Sequence, residues 1–362
     1  MRSLLDRGGM CSAPDKVLPM SEYVRITTKC TRIRMESSGR LASVKAYADA
    51  GSVSEDVSFC VSAKGLSAYL AAITDPSIVI EADLEGHRMS LLHSGGKLEM
   101  PCADASDFTD FENPPKDASS VRMRAADMTG WMDACRLFAA NDELRPVLGG
   151  MRLMTEGDIM TACASDGHML FYDGTRDGES DMDGLNVIIP SAAFGFIQDM
   201  VKGEDSFVMK HTADSIWIYA GTSVLSVRLV DGRYPNVKAI IPSADSAVLN
   251  AVVDRAMLME SMKRISLMAS ATSNLARFEF GPELSVTAED ADFARKAEEK
   301  LPVRCEGSMT IGFSCKSMMK ALSVMEGDTV TFRLYGPDKA ALLSEAGGDS
   351  LKTVLLMPMR LI

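Results

Sequence analysis

The stretch that decides the fold is Thr310–Leu334, which reads TIGFSCKSMMKALSVMEGDTVTFRL. Its apolar start predicts the end of a strand, and the residues from Ser314 to about Met325 predict a helix. The serine suits the N-cap of that helix, because its hydroxyl can accept a hydrogen bond from a free backbone N–H group. Glu-Gly-Asp at 326–328 predicts a turn before a second strand. The stretch is therefore a strand–helix–turn–strand unit.

The same order of elements occurs twice more in the chain. Residues 187–210 contain an apolar run, a helix that begins at Ser191, a Gly-Glu-Asp turn and a second strand. Residues 57–82 contain an equivalent helix that begins at Ser62. The three serines are 129 and 123 residues apart, and self-similarity at a nearly fixed period is the signature of a tandem repeat. The sequence predicts three domains, at residues 1–118, 119–243 and 244–362.

Each predicted domain has a first helix, strands, the repeat helix and further strands. The first helices are predicted over Ser3–Cys11, Ala126–Ala140 and Asp254–Ser270. Because the strands outnumber the helices and follow one another in meanders, the predicted fold class is α+β, with two helices per domain packed on a mostly antiparallel sheet. Domains of this kind leave strand edges at their boundaries. Sheets that run from one domain to the next, and from one chain to the next, would cover those edges.

The composition is that of a globular protein. The 362 residues are 46% hydrophobic and 24% charged, and no apolar run approaches the ~20 residues of a membrane helix. The N-terminus lacks the apolar core of a signal peptide, so we expect a cytoplasmic protein with no membrane partner. Eight cysteines are scattered without a C-x-x-C pair, which favours reduced, buried thiols over a zinc site or a disulfide framework.

Charge is unevenly distributed along the chain. The formal net charge is −12, which by itself argues against binding to nucleic acid. The six predicted repeat helices nevertheless carry 11 Lys and Arg against 7 Asp and Glu, counted with their flanking residues over 1–12, 61–74, 124–140, 190–203, 253–270 and 314–327. The rest of the chain therefore carries the acidic excess. A mildly basic helical surface suits a polyanion on one side only. Since there is no dense basic run, we expect loose contact with a nucleic-acid backbone and no base-specific binding.

The chain lacks the usual motifs of catalysis and cofactor binding. There is no phosphate-binding glycine loop of the Walker or dinucleotide type and no H-E-x-x-H, so we expect no cofactor, no metal and no enzymatic activity. One alternative stays open. Cys163 and His168 lie close enough in sequence to serve as the nucleophile and base of a hydrolase, although no oxyanion site accompanies them.

Three further motifs resemble one family. They are S-D-G-H-M-L at Ser165–Leu170, L-V-D-G-R-Y-P-N-V-K-A-I-I-P at Leu229–Pro242, and the C-terminal L-L-M-P-M-R-L-I. In type and position they resemble the bacterial sliding clamp, the beta subunit of DNA polymerase III. The resemblance covers the whole chain in its repeat architecture, and it is strongest from about Arg145 to the C-terminus.

The resemblance implies a head-to-tail homodimer whose six domains close into a ring around double-stranded DNA, with helices lining the hole. Such a ring holds DNA by topology, so it needs only weak, non-specific contacts with phosphates. On this expectation the DNA channel contains Lys64, Arg136, Arg145, Lys202, Lys263, Arg264, Lys316 and Lys320.

The resemblance also implies a cleft between the second and third domains. Short peptides of the replicative DNA polymerase, the clamp loader and other proteins with a clamp-binding motif would dock there. Leucine, isoleucine, methionine and proline suit such a groove, because they make an adaptable apolar surface. By motif position, the cleft residues are Leu148, Ser165, Gly167, His168, Met169, Leu170, Pro235, Ile240, Leu356, Met357, Pro358, Met359, Arg360 and Leu361.

Two further expectations follow from the resemblance. The subunit interface would place Phe108 of one chain against Leu267 and Met268 of the other, since a head-to-tail ring joins unlike surfaces. In the cleft, Met169 and Ala239 stand where the family often has basic residues, which indicates partner peptides less acidic than usual. A phage-borne or paralogous clamp that recruits a different partner is the alternative.

Overall fold

The computed structural model describes residues 1–75, 77–176, 184–345 and 351–361. Within this part, the helices are α1 (Arg2–Gly8), α2 (Ala63–Ala72), α3 (Ala125–Phe138), α4 (Phe194–Val201), α5 (Val237–Ile240), α6 (Arg255–Ser266) and α7 (Cys315–Ser323). The strands are β1 (Tyr23–Lys29), β2 (Arg32–Ser38), β3 (Ala42–Asp49), β4 (Ser58–Ser62), β5 (Val79–Asp83), β6 (Arg88–His93), β7 (Gly96–Asp104), β8 (Ser119–Arg124), β9 (Gly150–Glu156), β10 (Ile159–Ser165), β11 (Met169–Thr175), β12 (Asn186–Pro190), β13 (Ser206–His211), β14 (Ser215–Ala220), β15 (Ser223–Arg228), β16 (Leu249–Asp254), β17 (Leu275–Phe280), β18 (Leu284–Asp290), β19 (Arg295–Leu301), β20 (Val303–Cys305), β21 (Met309–Ser314), β22 (Thr329–Leu334), β23 (Ala341–Glu345) and β24 (Thr353–Leu356).

The first of two compact units contains residues 1–129 and 192–229, and it holds one continuous antiparallel sheet. The strand order is β5-β6-β7-β4-β1-β2-β3-β15-β14-β13-β8. Strands of the first two repeats therefore share a sheet, through the pairing of β3 with β15 that sets Val44 opposite Leu225. An apolar core that includes Leu4, Leu66 and Met89 joins α1 and α2 to the sheet.

The second unit contains residues 130–176, 184–191 and 230–361, and it holds two sheets. The larger has the order β12-β9-β10-β11-β24-β23-β22-β16-β20, and the smaller has the order β19-β18-β17-β21. Strands of the second and third repeats share the larger sheet through the antiparallel pairing of β11 with β24. Strand β19 pairs with β18 and ends the smaller sheet.

The predicted fold class is confirmed. The described strands pair antiparallel throughout the three sheets. Two helices accompany the strands of each repeat, and the second repeat has the short helix α5 in addition. Sheets that continue across repeat boundaries occur as predicted, because the edge strand of one repeat satisfies the free backbone groups of the next. Among the described residues, no helix is long and apolar enough to span a membrane.

Two of the three predicted serine N-caps are confirmed and one is wrong. Ser62 Oγ accepts a hydrogen bond from Gly65 N at 3.5 Å, and Ser314 Oγ accepts one from Ser317 N at 3.3 Å. Ser191 instead begins a 3₁₀ turn, and helix α4 starts after Ala193 without a side-chain cap. The tighter first turn delays the α-helical hydrogen bonds by three residues, so the serine lies outside the capping position.

Several element boundaries differ from the predictions. The first helices end at Gly8, Phe138 and Ser266, each before its predicted end. Strands β2 and β19 were not predicted, because R-I-R-M-E-S-S and R-K-A-E-E-K-L are too polar to show a buried face. Strand β19 has four exposed residues of seven and one buried residue, which is the pattern of an edge strand with charged side chains.

Candidate functional site

The candidate cleft is built on the paired strands β11 and β24 of the second unit. Leu170 lies opposite Leu355 in the ladder, and Met169 lies opposite Leu356. Since side chains alternate between the faces of a strand, Leu170 and Leu355 share one face. On that face a buried apolar cluster forms from Ala140, Leu148, Cys163, Leu170, Ile188, Tyr234, Val237, Tyr335, Leu342 and Leu355.

Exposed apolar side chains flank this cluster. Pro235 follows the buried Tyr234, and Ile240 ends the short helix α5 that begins at the buried Val237. The exposed fraction is 52% for Ile240 and 45% for Met357. A buried apolar floor with an exposed apolar rim is the arrangement expected of a site that binds short apolar segments. The floor cluster and this rim are called the apolar cleft below.

The turn that joins β10 to β11 is fixed by its own side chains. Asp166 Oδ1 accepts hydrogen bonds from the backbone N–H groups of His168 and Met169, both at 2.8 Å. Ser165 Oγ donates to the carbonyl oxygen of Met169 at 2.7 Å. Gly167 has a φ of +92°, which favours glycine. These contacts keep His168 exposed at the tip while the chain turns back into β11.

Replacement of Asp166 by alanine is expected to lower the free energy of unfolding by about 1–2 kcal/mol, because two backbone donors lose a charged acceptor. Urea unfolding of the full chain measures the change. Asp158→Ala is the matched control, since Asp158 is an exposed aspartate in the neighbouring β9–β10 turn. Equal stability of the two variants would contradict the role given to Asp166.

Arg145 lies beside this turn. A Cβ atom at Gly167 would come within 3.1 Å of the Arg145 guanidinium, and Arg145 precedes the 3₁₀ turn Pro146–Leu148. Arg145 Nε donates to Asp142 Oδ2 at 2.8 Å, and this hydrogen bond lowers the pKa of Asp142. Arg145, predicted for the DNA channel, is thus placed at the edge of the apolar cleft and on none of the helices.

The C-terminal tail is held against the fold by backbone hydrogen bonds. Met357 N donates to the carbonyl oxygen of His168 at 2.9 Å, and Met359 N donates to that of Gly312 at 2.8 Å. The second contact requires glycine, because a Cβ atom at position 312 would lie 2.6 Å from the Met359 carbonyl oxygen. The tail therefore has a defined place next to the β10–β11 turn.

The structure brings together some predicted cleft residues and separates others. Leu148 and Leu170 belong to the floor, whereas Met169 and Leu356 are buried on the opposite face of the sheet. Eight floor residues were not among the predicted cleft residues: Ala140, Cys163, Ile188, Tyr234, Val237, Tyr335, Leu342 and Leu355. Tyr234 and Val237 lie within the quoted R-Y-P-N-V motif and could have been found there. The choice of Leu355 over Leu356 needs the register of β24, which the motif does not contain.

The surroundings of Cys163 and His168 argue against the hydrolase alternative. Cys163 is buried in the floor of the apolar cleft, and burial raises the pKa of its thiol to about 12. A thiol with such a pKa supplies almost no thiolate at neutral pH. His168 is exposed at the tip of the turn, where it cannot act as a base towards a buried sulfur. Within the described ranges, no three His, Cys, Asp or Glu residues are grouped as metal ligands.

The remaining residues predicted for the DNA channel lie on helices or at their ends. Lys64, Lys202, Lys316 and Arg136 are exposed. Lys263, Arg264 and Lys320 lie against acidic or carbonyl groups. Lys263 Nζ donates to Glu260 at 2.7 Å, and Arg264 forms two hydrogen bonds of 2.7 Å with Glu299. Lys320 Nζ donates to the carbonyl oxygen of Leu137 at 3.0 Å, at the end of α3.

The residues predicted for the subunit interface differ in accessibility. Phe108 is 6% exposed, and the Arg25 guanidinium lies 4.8 Å from the centre of its ring. The side chain of Phe108 is thus already buried within the first unit, and it offers little surface to a second subunit. Leu267 and Met268, which follow α6, are 70% and 36% exposed. Both side chains are accessible for a contact with a second subunit.

The chain matches known protein families over most of its length. The family model described as "DNA polymerase III beta subunit, central domain" matches residues 123–236, and the C-terminal domain model of the same family matches residues 238–360. The beta sliding clamp of Escherichia coli K12 is 25% identical over 285 residues, which cover 78% of this chain and 76% of that protein. The beta sliding clamp of a Synechocystis species is 25% identical over 323 residues, with 83% and 81% coverage.

Solved structures resemble the whole chain. A DNA polymerase sliding clamp from Pseudomonas aeruginosa, solved with a ligand, has a TM-score of 0.90 at 20% identity and covers 99% of this chain and 97% of its own. A sliding clamp from Bartonella birtlesii bound to griselimycin has a TM-score of 0.88 at 19% identity, with the same coverage. At these identities the likeness concerns the fold.

Proposed function

The chain belongs to the DNA polymerase III beta subunit family, and on that premise we propose that it is a DNA sliding clamp. In this proposal two copies form a ring that encircles double-stranded DNA without sequence preference and tethers the replicative DNA polymerase to its template. The protein acts as a non-catalytic accessory subunit, and it needs no cofactor. Its three repeats correspond to domains at residues 1–118, 119–243 and 244–362.

The observation that carries the proposal is that neighbouring repeats are joined twice by the same kind of strand pairing. Strand β3 closes the meander β1-β2-β3 and pairs with β15, the last strand of the next repeat. Strand β11 closes the equivalent meander β9-β10-β11 and pairs with β24, again the last strand of the next repeat. The third pair of equivalent strands is β19 and β7. We infer that β19 of one copy pairs with β7 of a second copy.

Strands β19 and β7 each have an edge that is available for pairing with a strand of a second copy. Strand β19 ends its sheet, and its pairs within the described residues are with β18. Strand β7 pairs with β6 over residues 96–101 and with β4 only over residues 102–104, which leaves one edge of its first part open. Exposed strand edges invite pairing with another chain. Two such contacts in head-to-tail order close a symmetric dimer.

Helix contacts point to the same arrangement. At the first junction Arg7 of α1 donates to the Met200 carbonyl oxygen at the end of α4 at 2.5 Å. At the second junction Lys320 of α7 reaches the end of α3. In the same order, α6 would meet α2 of the second copy, so Leu267 and Met268 would be buried there. Leu98 and Met100, which lie partly buried on β7, replace Phe108 in this proposal.

DNA would be held loosely by the helices. The exposed Lys64, Lys202, Lys316 and Arg136 offer contacts to phosphates, while Arg264 is partly neutralised by Glu299. A small number of exposed basic residues gives weak, salt-sensitive binding without base recognition. Weak binding suits a ring that must slide, because the closed ring and not affinity retains the DNA.

The apolar cleft would bind peptides of the replicative polymerase, the clamp loader and other proteins with a clamp-binding motif. Its floor and rim are apolar, and Ala239, next to Ile240 on the rim, contributes no positive charge. Peptides with large apolar side chains and modest acidity would therefore fit it best. The neutral Met169 and Ala239, which stand where the family often has basic residues, are the basis of the alternative, a phage-borne or paralogous clamp that recruits a different partner.

Retention on DNA is expected to depend on the shape of the DNA. The chain is incubated with a nicked circular plasmid, and free protein is removed by gel filtration at high salt, which weakens phosphate contacts. We expect the protein to stay with the circle and to be lost when the same plasmid is linearised, because an open end lets a ring slide off. Equal retention on circular and linear DNA would mean ordinary binding and would refute the clamp proposal.

A further inference from the structure

The first unit contains a cavity that the proposed function does not use. It has a volume of about 220 Å³ and is lined by Leu18, Met20, Ser21, Ser38, Asp107, Phe108 and Thr109. Ser21 is 3% exposed, and its hydroxyl has no hydrogen-bond partner among the described residues. A buried hydroxyl without a partner costs free energy unless a bound group satisfies it. The cavity therefore has one polar group that a ligand can engage.

The cavity lies in the first repeat at positions equivalent to part of the apolar cleft in the second repeat, as the pairing of the strands indicates. Arg25 lies opposite Glu36 between β1 and β2, as Arg152 lies opposite Cys163 between β9 and β10. Glu36 and Cys163 are thus equivalent positions. Ser38 and Ser165, each two residues further along its strand, are equivalent as well. A 3₁₀ turn that begins with proline precedes β1 and β9 alike. The two prolines, Pro19 and Pro146, are equivalent positions. Their neighbours are then equivalent in order: Leu18, Met20 and Ser21 correspond to Arg145, Val147 and Leu148.

The segments that follow β7 and β15 correspond in the same way. Phe108 lines the cavity together with Ser21, as Tyr234 packs with Leu148 in the floor of the cleft. We therefore equate Asp107-Phe108-Thr109 with Arg233-Tyr234-Pro235, and the two aromatic side chains are 6% and 5% exposed. The cavity is therefore built from the same positions as one side of the apolar cleft.

The chemistry of the two sites differs in polarity and in the sign of charge. Leu148 in the cleft corresponds to the hydroxyl of Ser21 in the cavity. The positions of Arg145 and Arg233 are taken by Leu18 and Asp107, so a basic edge becomes an acidic one. Asp107 is exposed and is the one charged residue that lines the cavity. A cationic group is favoured near such a carboxylate.

The positive charge of the nearby Arg25 does not cancel the preference of the cavity for a cationic group. Its guanidinium lies over the ring of Phe108, but Nε donates to Glu36 at 2.8 Å and Nη1 donates to Asp110 at 2.6 Å. Arg25 is thus paired with two carboxylates. The cavity itself combines apolar walls from Leu18, Met20 and Phe108 with hydroxyls inside and a carboxylate at its exposed side.

We propose that this cavity binds a single lysine or arginine side chain of a partner peptide. The aliphatic stem packs against Met20 and Phe108, the cationic head lies near Asp107, and its N–H groups donate to the Ser21 hydroxyl. Amphipathic basic side chains bury their stems and keep the charged head at a polar edge in this manner. The inference goes beyond the proposed clamp function, because it concerns a second, cation-selective site in the first repeat.

The test is an NMR titration of the full chain labelled with ¹³C-methyl methionine. Met20→Leu identifies the Met20 signal by its loss. The probes are N-acetyl-glycyl-X-glycinamide peptides in which X is lysine, arginine, norleucine or glutamate. We expect a saturable shift of the Met20 methyl signal with the lysine or arginine probe. The norleucine probe, which has the stem without the charge, is expected to bind about fivefold more weakly, and the glutamate probe more weakly still.

Two variants and a control decide the role of the named groups. Asp107→Asn is expected to reduce the affinity for the basic probe to that of norleucine. Glu112→Gln is the matched control, since it removes an exposed acid of the same segment outside the cavity, and it should leave the affinity unchanged. Ser21→Leu, which installs the counterpart of Leu148, should fill the cavity and abolish the shift.

The proposal is overturned if Met20 does not respond to either basic probe, or if the lysine, norleucine and glutamate probes bind equally well. This outcome is separable from failure of the clamp function. The Met357 methyl group, on the rim of the apolar cleft, reports on peptide binding there in the same spectra, and retention on circular DNA is measured independently.

Discussion

Removal of residues Met357–Ile362 is expected to abolish binding of partner peptides while the chain still folds and forms its dimer. The deletion removes the exposed Met357 from the rim of the apolar cleft, together with the tail that Gly312 and His168 hold in place. Strand β24 ends at Leu356, so its ladder with β11 and the floor residue Leu355 are retained. Ile362 lies outside the described residues.

The expected loss of affinity is at least about thirtyfold, the effect of removing one strong hot spot of an interface. Fluorescence anisotropy of a labelled peptide from the replicative polymerase measures it. Urea unfolding checks that the shortened chain is folded, because the deletion also removes the two backbone hydrogen bonds of the tail. Peptide affinity that survives in a folded deletion variant would exclude the tail from the binding site.

Leu267→Asp is expected to convert a dimer into a monomer. Leu267 is 70% exposed in the single chain, so a charge at this position should not disturb the fold. In the proposed ring the same residue is buried beside α2 of the second copy. An uncompensated charge in such a contact would raise the dissociation constant on the order of 100-fold or more.

Light scattering or native mass spectrometry at low micromolar concentration gives the mass. The unsubstituted chain should have about twice its own 39.1 kDa, and the variant should have the single-chain value and lose its retention on circular DNA. Leu144→Asp is the control, since Leu144 is 91% exposed and lies outside the proposed contact. A variant that stays dimeric would show that the subunits join through another surface.

The family and fold class were accessible from the sequence, but individual site residues were not equally so. Leu148 and Leu170 were identified through motifs and lie in the floor of the apolar cleft. The burial of Phe108 could not be read from the sequence, because its ring packs under Arg25, a residue 83 positions earlier in the chain. Arg145 was assigned to the DNA channel because a basic residue shows its charge in the sequence but not its direction. Its contact with the turn at Gly167 appears only in the fold.

The sequence by itself determined the features that arise from local interactions. The threefold repeat, the turns and the serine caps at Ser62 and Ser314 depend on hydrogen bonds and apolar spacing within a few residues. Only the tertiary structure decided which strands of different repeats pair, and in which register. The ladder of β11 with β24 joins residues about 180 positions apart. A shift of one residue would exchange Leu355 for Leu356 in the cleft, because side chains alternate between the faces of a strand.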